Sequence, residues 1–200
     1  MSEMTHDLRA SLRSFRRRPF YPLVTISILA IGISATVAVF TYLTSFYRPF
    51  PGVTTDGLVQ VFGVDPEEPY RDLAYLDYLD YAESAESFAS MAAVQPYYAA
   101  SVRHATMTEV AFLEAVTGSY FAVLEIGISI GRGIRPADDV EGADPVAVIS
   151  YDWWLRSFQG ADDVLGQTLF LNNRPFTVIG VTAADFLGSS SDYRPDVWIP

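Results

Sequence analysis

The residues Gly127-Ile128-Ser129-Ile130-Gly131 match the Gly-x-Ser-x-Gly pattern of a nucleophile elbow. In that motif a serine sits on a sharp strand-to-helix turn and gives up its proton to a histidine. The chain has two histidines, His6 and His104, and only His104 is a conceivable partner for Ser129. The residues after the motif, Arg132-Gly133-Ile134-Arg135-Pro136, cannot start a regular helix, because glycine and proline both oppose one. A Gly-rich irregular stretch is the better expectation for 127–136, and no catalytic residue is assigned.

Asp138, Asp139, Glu141 and Asp144 cluster around Gly142. Their spacing is not the Asp-x-Asp-x-Asp-Gly of a calcium loop, so a solvated turn is expected and a weak cation site is the lesser reading. Asp162-Asp163 and Glu67-Glu68 read as exposed loop charges. Lysine is absent, which excludes the lysine of a phosphate-binding loop. Cysteine is absent, which excludes disulfides and thiolate metal sites. The net charge of −11 argues against nucleic acid as a partner. The aromatics Tyr70, Tyr75, Tyr78, Tyr81, Tyr97, Tyr98, Trp153, Trp154 and Trp198 are candidates for a ligand cleft, but their helical and strand spacing favours core or interface. No cofactor-binding or metal-binding residue is assigned, and no cofactor or enzymatic activity is expected.

The element that governs the rest is apolar. From Pro19 to Tyr47 there is no Asp, Glu, Lys, Arg or His. A helix needs about 20 apolar residues to cross the hydrocarbon layer, and this run exceeds that. A signal peptide would have a shorter apolar core and a small-residue cleavage site. A buried core helix would not begin with an arginine cluster. The expected layout is a cytoplasmic basic amphipathic segment over 1–19, a transmembrane helix over 20–47 and an extracytoplasmic domain over 48–200. Residues 1–18 carry five Arg against Glu3 and Asp7, a net of +3, whereas 48–200 carry a net of −14. Basic flanks stay inside, which puts the N-terminus in the cytoplasm and 48–200 outside. Leu8, Leu12 and Phe15 form a stripe opposite Arg9, Arg13, Arg16 and Arg17, so 5–17 read as a helix on the anionic inner leaflet or as a solvated basic tail. Ala30, Ser34 and Ala38 form a small-residue row suited to close helix packing.

Beyond a membrane-exit turn at 48–52, a strand is expected at 58–62 and a loop at 66–70. A helix is expected at 72–87, with Leu73, Leu76, Leu79 and Ala82 in one stripe. Strand-like runs follow at 88–103 and 108–115, then a short helix at 118–124. A buried strand is expected at 146–150 and a helix at 152–158. Runs 167–171 and 175–181 form a hairpin around Asn172-Asn173-Arg174, and 197–200 is strand-like. Helices and strands interleave without regular βαβ spacing, which gives an α+β class.

Several blocks in order resemble the N-terminal part of FtsX-like ABC transporter permeases with a MacB-like periplasmic core domain, most closely the acidobacterial-type duplicated orphan permease subgroup. They include Arg17-Arg18-Pro19, Ala30-Ile31-Gly32-Ile33-Ser34-Ala35-Thr36 and Arg48-Pro49-Phe50-Pro51. Tyr75-Leu76-Asp77-Tyr78 and Val116 to Leu124 follow. Pro145 to Trp154 is the most recognisable block, and Val164 to Leu169, Asn172 to Val181 and Pro195 to Pro200 complete the series. The resemblance implies a membrane helix, an extracytoplasmic domain of two α+β subdomains, and three further membrane helices. It implies a permease dimer in the cell inner membrane that works with a separate or fused ABC-type ATPase and couples ATP-driven motion to the outer domain. Against that pattern the chain is expected to be an incomplete core domain. A single-pass, membrane-anchored extracytoplasmic binding or adaptor protein is the alternative.

Overall fold

The computed structural model describes residues 20–45, 51–54, 56–65, 70–104, 107–190 and 193–200. The chain divides into two units, Met1–Arg48 and Pro49–Pro200.

The first unit contains helix α1, Phe20–Ser45, with no acidic residue in its first turn and no basic residue in its last. Its span Leu23–Thr44 has a mean hydropathy of 2.4. At 1.5 Å per residue that helix is about 39 Å long, more than the hydrocarbon thickness. Two of its hydroxyls are satisfied within the helix: Thr36 donates to the Gly32 carbonyl and Thr44 to the Phe40 carbonyl, each at 2.9 Å. Local satisfaction of this kind suits a lipid surround, which offers no water. Residues 1–19 and 46–50, including the expected basic segment, lie outside the described residues.

The second unit is mixed α and β. Its strands are β1 (Val94–His104), β2 (Met107–Val116), β3 (Ile128–Gly131), β4 (Val146–Ile149), β5 (Thr168–Leu171), β6 (Arg174–Thr182) and β7 (Val197–Ile199). Its helices are α2 (Tyr75–Ser84), α3 (Tyr120–Val123) and α4 (Tyr151–Phe158). The strand order is β3-β6-β4-β7-β2-β1-β5, and β5 also pairs with β6. Six strands thus close a ring, with β3 added against the far half of β6. The β4–β6 and β2–β7 pairs are parallel; the others are antiparallel.

Alternation along the central strands sorts the core onto two faces. Ala147, Ile149, Val197 and Ile199 join Leu113, Leu169, Trp153 and Phe158 on one. Val148 and Trp198 join Tyr120, Phe121, Ile134 and Phe186 on the other. Helix α4 is seated by its cap: the Ser150 hydroxyl accepts from the Trp153 amide at 3.1 Å, and Gln159 closes the helix in the left-handed region at φ 54°. That registration buries Trp153, Trp154 and Phe158. The β5–β6 hairpin turns through Asn172 and Asn173, at φ 46° and 69°. Two consecutive positive φ values make the tight turn that matches strand twist, and asparagine tolerates them.

Four expectations need correction. Residues 58–62 form no strand: Leu58, Val59, Val61 and Phe62 are exposed, and among the described residues the only pairing nearby is the single bridge between Gly63 and Arg71. The helix expected over 72–87 is confined to Tyr75–Ser84, and its apolar stripe is not buried. The strand expected from 88 begins at Val94. The stretch 127–136 is not irregular throughout, because Ile128–Gly131 pairs with β6. Gly131 permits that pairing: its φ is 75°, and a Cβ there would overlap the Ile179 carbonyl oxygen.

Candidate functional site

The structure does not bring the elbow residues together. Ser129 lies inside β3, exposed, rather than on a strand-to-helix turn. His104 ends β1, is 4% exposed, and packs its ring against Trp153 and Phe158. Strands β1 and β3 share no ladder. His104 Nε2 is 3.1 Å from Glu109 Oε1, and the Ser157 hydroxyl donates to that same oxygen at 2.6 Å. Serine and histidine therefore converge on one carboxylate, Glu109, rather than the hydroxyl bonding the imidazole. Burial opposes ionisation of Glu109, but the hydrogen bonds from Ser157 and His104 outweigh it and hold the carboxyl below its ordinary value.

The acidic cluster is partly absorbed by the fold. Arg132 binds Asp138 through two bonds, of 2.5 and 2.8 Å, and the Arg135 amide donates to the same carboxylate at 2.9 Å. The Arg132 hydrogen bond is the main reason the Asp138 carboxyl lies below its usual range. Asp139 accepts from the Gly118 amide at 2.8 Å. Gly118 allows that approach, since a Cβ there would lie 2.5 Å from the Pro136 Cα. Glu141 and Asp144 are exposed. The aromatics divide: Trp153, Trp154 and Trp198 are core, while Tyr70, Tyr75 and Tyr81 are 78%, 57% and 48% exposed.

Two carboxylates that sequence reasoning missed form the most constrained polar sites. Glu114, on β2, is fully buried. Its Oε1 accepts from the Tyr193 hydroxyl and its Oε2 from the Trp198 indole, both at 2.6 Å. Tyr120 stands beside it and donates to Ser189 at 2.8 Å. Burial pushes the Glu114 carboxyl above its ordinary value, although its donors pull the other way. Burial, reinforced by the Glu114 charge, pushes the Tyr120 phenol up. Asp196 joins three elements: it accepts from the Phe112 amide of β2 at 3.0 Å and from Arg156 of α4 at 2.9 Å, and its carbonyl accepts from the Ser150 amide at 2.9 Å. The strand alternation around Leu113 hints that Glu114 faces away from the first core cluster. Its donors lie 79 and 84 residues downstream, where no local pattern reveals them. These are fastening groups, and neither presents an activated nucleophile.

The profile of the MacB-like periplasmic core domain matches residues 23–200. The chain is 31% identical over 99 residues to the probable syringafactin export ATP-binding/permease protein SyfD of Pseudomonas syringae pv. syringae (strain B728a), covering 50% of this chain and 15% of that protein. It is 31% identical over 114 residues to the macrolide export ATP-binding/permease protein MacB 1 of Yersinia pestis bv. Antiqua (strain Antiqua), covering 55% of this chain and 17% of the relative. The chain therefore spans less than a fifth of the length of these relatives. The extracellular domain of the noncanonic ABC-type transporter YknZ from Gram-positive bacteria superposes with a TM-score of 0.50 at 15% identity, over 62% of this chain and 60% of that one. The periplasmic region of MacB from Actinobacillus actinomycetemcomitans aligns at a TM-score of 0.45 and 22% identity, over 61% and 54% of the two chains. One apolar helix leads into a mixed α/β unit of this type, and the chain belongs to the MacB-like periplasmic core domain family.

Proposed function

We propose that this chain supplies the first membrane helix and the extracytoplasmic domain of an ABC transporter permease in the cell inner membrane. Residues 1–19 lie in the cytoplasm, 20–47 cross the bilayer, and 48–200 form the outer domain. A separate or fused ABC-type ATPase drives motion through the membrane helices into that domain, and two permeases act as a pair. The contribution of this chain is mechanical, for export or transmission of force, and no residue in it needs to be catalytic.

The observation that carries this reading is the joining, in one chain, of a charge-free span with a core domain of this family. The change from a net of +3 before the span to −14 after it supports the orientation. The printed names of the relatives, export ATP-binding/permease proteins, support the ATPase partnership.

Two measurements test it. Alkaline phosphatase fused after residue 60 is expected to be active, and fused after residue 15 inactive; the opposite pattern overturns the orientation. The protein expressed from its own locus and extracted in mild detergent is expected to co-purify with an ABC-type ATPase. Purification without any ATPase overturns the permease reading and leaves a single-pass anchored protein.

A further inference from the structure

Residues 51–54 follow α1 closely in sequence and already belong to the second unit. They are seated rather than loose. Gly52 lies against the backbone of Phe186: a Cβ at Gly52 would stand 2.7 Å from both the Phe186 Cα and its nitrogen. The φ of Gly52 is 74°, in the left-handed region, so glycine is needed there for conformation as well as for space. Val53 packs against the apolar cluster that holds Phe186 and Trp198. The Thr54 amide donates to the Leu124 carbonyl at 3.4 Å.

The seat itself is fixed. The Phe186 amide donates to the Ala183 carbonyl at 3.1 Å, and the Ala183 amide donates to the Gly127 carbonyl at 2.8 Å. Phe186 is buried, with its ring 5.3 Å from that of Trp198. Trp198 is fully buried in β7, which pairs with both β2 and β4, and its indole donates to Glu114 of β2. A packed series of this kind passes displacement along, because protein interiors compress little.

The backbone offers a far longer route. Among the described residues the chain next joins the sheet at β1, which begins at Val94. The intervening stretch of about 40 residues has a contour of roughly 130–145 Å. No described residue from 56 to 90 enters either core cluster. The contact at Gly52 bypasses that stretch. We propose that residues 51–54 are the joint through which movement of the membrane helix reaches the sheet, with Gly52 on Phe186 as its seat and Trp198 as the next member. The source of the movement rests on the permease reading; the joint is a property of the outer domain and is measured without an ATPase.

The test is single-molecule pulling of the full chain in a phosphatidylcholine nanodisc, with handles on Arg48→Cys and Pro200→Cys. The chain has no native cysteine to compete for them. An intact joint shields 55–93 from the applied force. That stretch should therefore lengthen in one discrete step, of roughly 100 Å of contour, before the sheet unfolds. In Gly52→Val and in Phe186→Ala the step is lost, and the same length extends gradually from the start. Handles on Thr108→Cys and Pro200→Cys avoid the joint, and there Gly52→Val should unfold at the wild-type force. Gradual extension of the wild type, or an unchanged step in Gly52→Val, overturns the proposal. Equal weakening of Gly52→Val in both pulling geometries also overturns it, since Gly52 would then serve packing in general. Purification without an ATPase overturns the permease reading instead and leaves the step as it is.

Discussion

Glu114 shows what one buried carboxylate costs and secures. Replacing it with leucine leaves the Tyr193 hydroxyl and the Trp198 indole without their acceptor, and each orphaned donor costs about 1–3 kcal/mol. Glu114→Leu is therefore expected to lower unfolding stability by roughly 2–6 kcal/mol, read by urea titration in detergent with tryptophan fluorescence. Glu114→Gln keeps an acceptor and should cost less. The two forms differ in their response to pH. Because burial raises the folded carboxyl above its unfolded value, the folded state holds the proton more tightly. That stability is fully present below the unfolded value, about 4.3, and is lost as pH rises through the folded value. The wild type should lose stability relative to Glu114→Gln over that window, and parallel pH profiles would refute the shift. Residues of this kind were the least legible from sequence. Ser129 and Asp138 stood out by local spacing, yet one lies inside a strand and the other serves an arginine. Glu114 and Asp196 draw their importance from partners tens of residues away, whose convergence only the folded chain reveals.

At the scale of elements, α4 depends on its first turn. The Ser150 hydroxyl satisfies the Trp153 amide, and the cap fixes the rotation that buries both tryptophans. Ser150→Ala is expected to cost about 1 kcal/mol, measured by the same denaturation, whereas Ser150→Asp should retain the cap. The helix is expected from sequence at 152–158, but its cap is not, because Ser150 reads as the end of the preceding strand; it stands instead at the N-terminus of a helix that begins at Tyr151. The β5–β6 hairpin was readable, with Asn172-Asn173 flanked by apolar strands, although Arg174 belongs to β6 rather than to the turn. The failures share another cause. Leu58 to Phe62 has strand composition but, among the described residues, no neighbouring ladder, and composition cannot supply one. Residues 128–131 were hidden by the glycines at 127, 131 and 133, yet β6 offers Ile128 to Gly131 an edge and Gly131 allows the close approach.

For the molecule as a whole, the apolar span, the charge asymmetry and the α+β class were legible from composition and length. The closure of the sheet was not, because it joins strands distant in sequence. Closure is uneven. Strands β1 and β2 meet along nine residue pairs, but β1 and β5 meet at two, Val102 with Leu171 and Arg103 with Phe170. Strands β4 and β7 likewise meet at two, Val148 with Trp198 and Ile149 with Val197. Asp196 braces the second junction from both β2 and α4, while the first is braced by Ser101 with Asn172 and by Arg103 over Phe170. Backbone amides at the β1–β5 junction are therefore expected to exchange with deuterium sooner than those of β2 or β4, as read by mass spectrometry; equal protection would argue against an uneven ring. A load applied to this domain would part it like a clasp. It would yield first between β1 and β5 and swing about the junction that Asp196 rivets, so that the two sets of strands separate as bodies instead of unravelling.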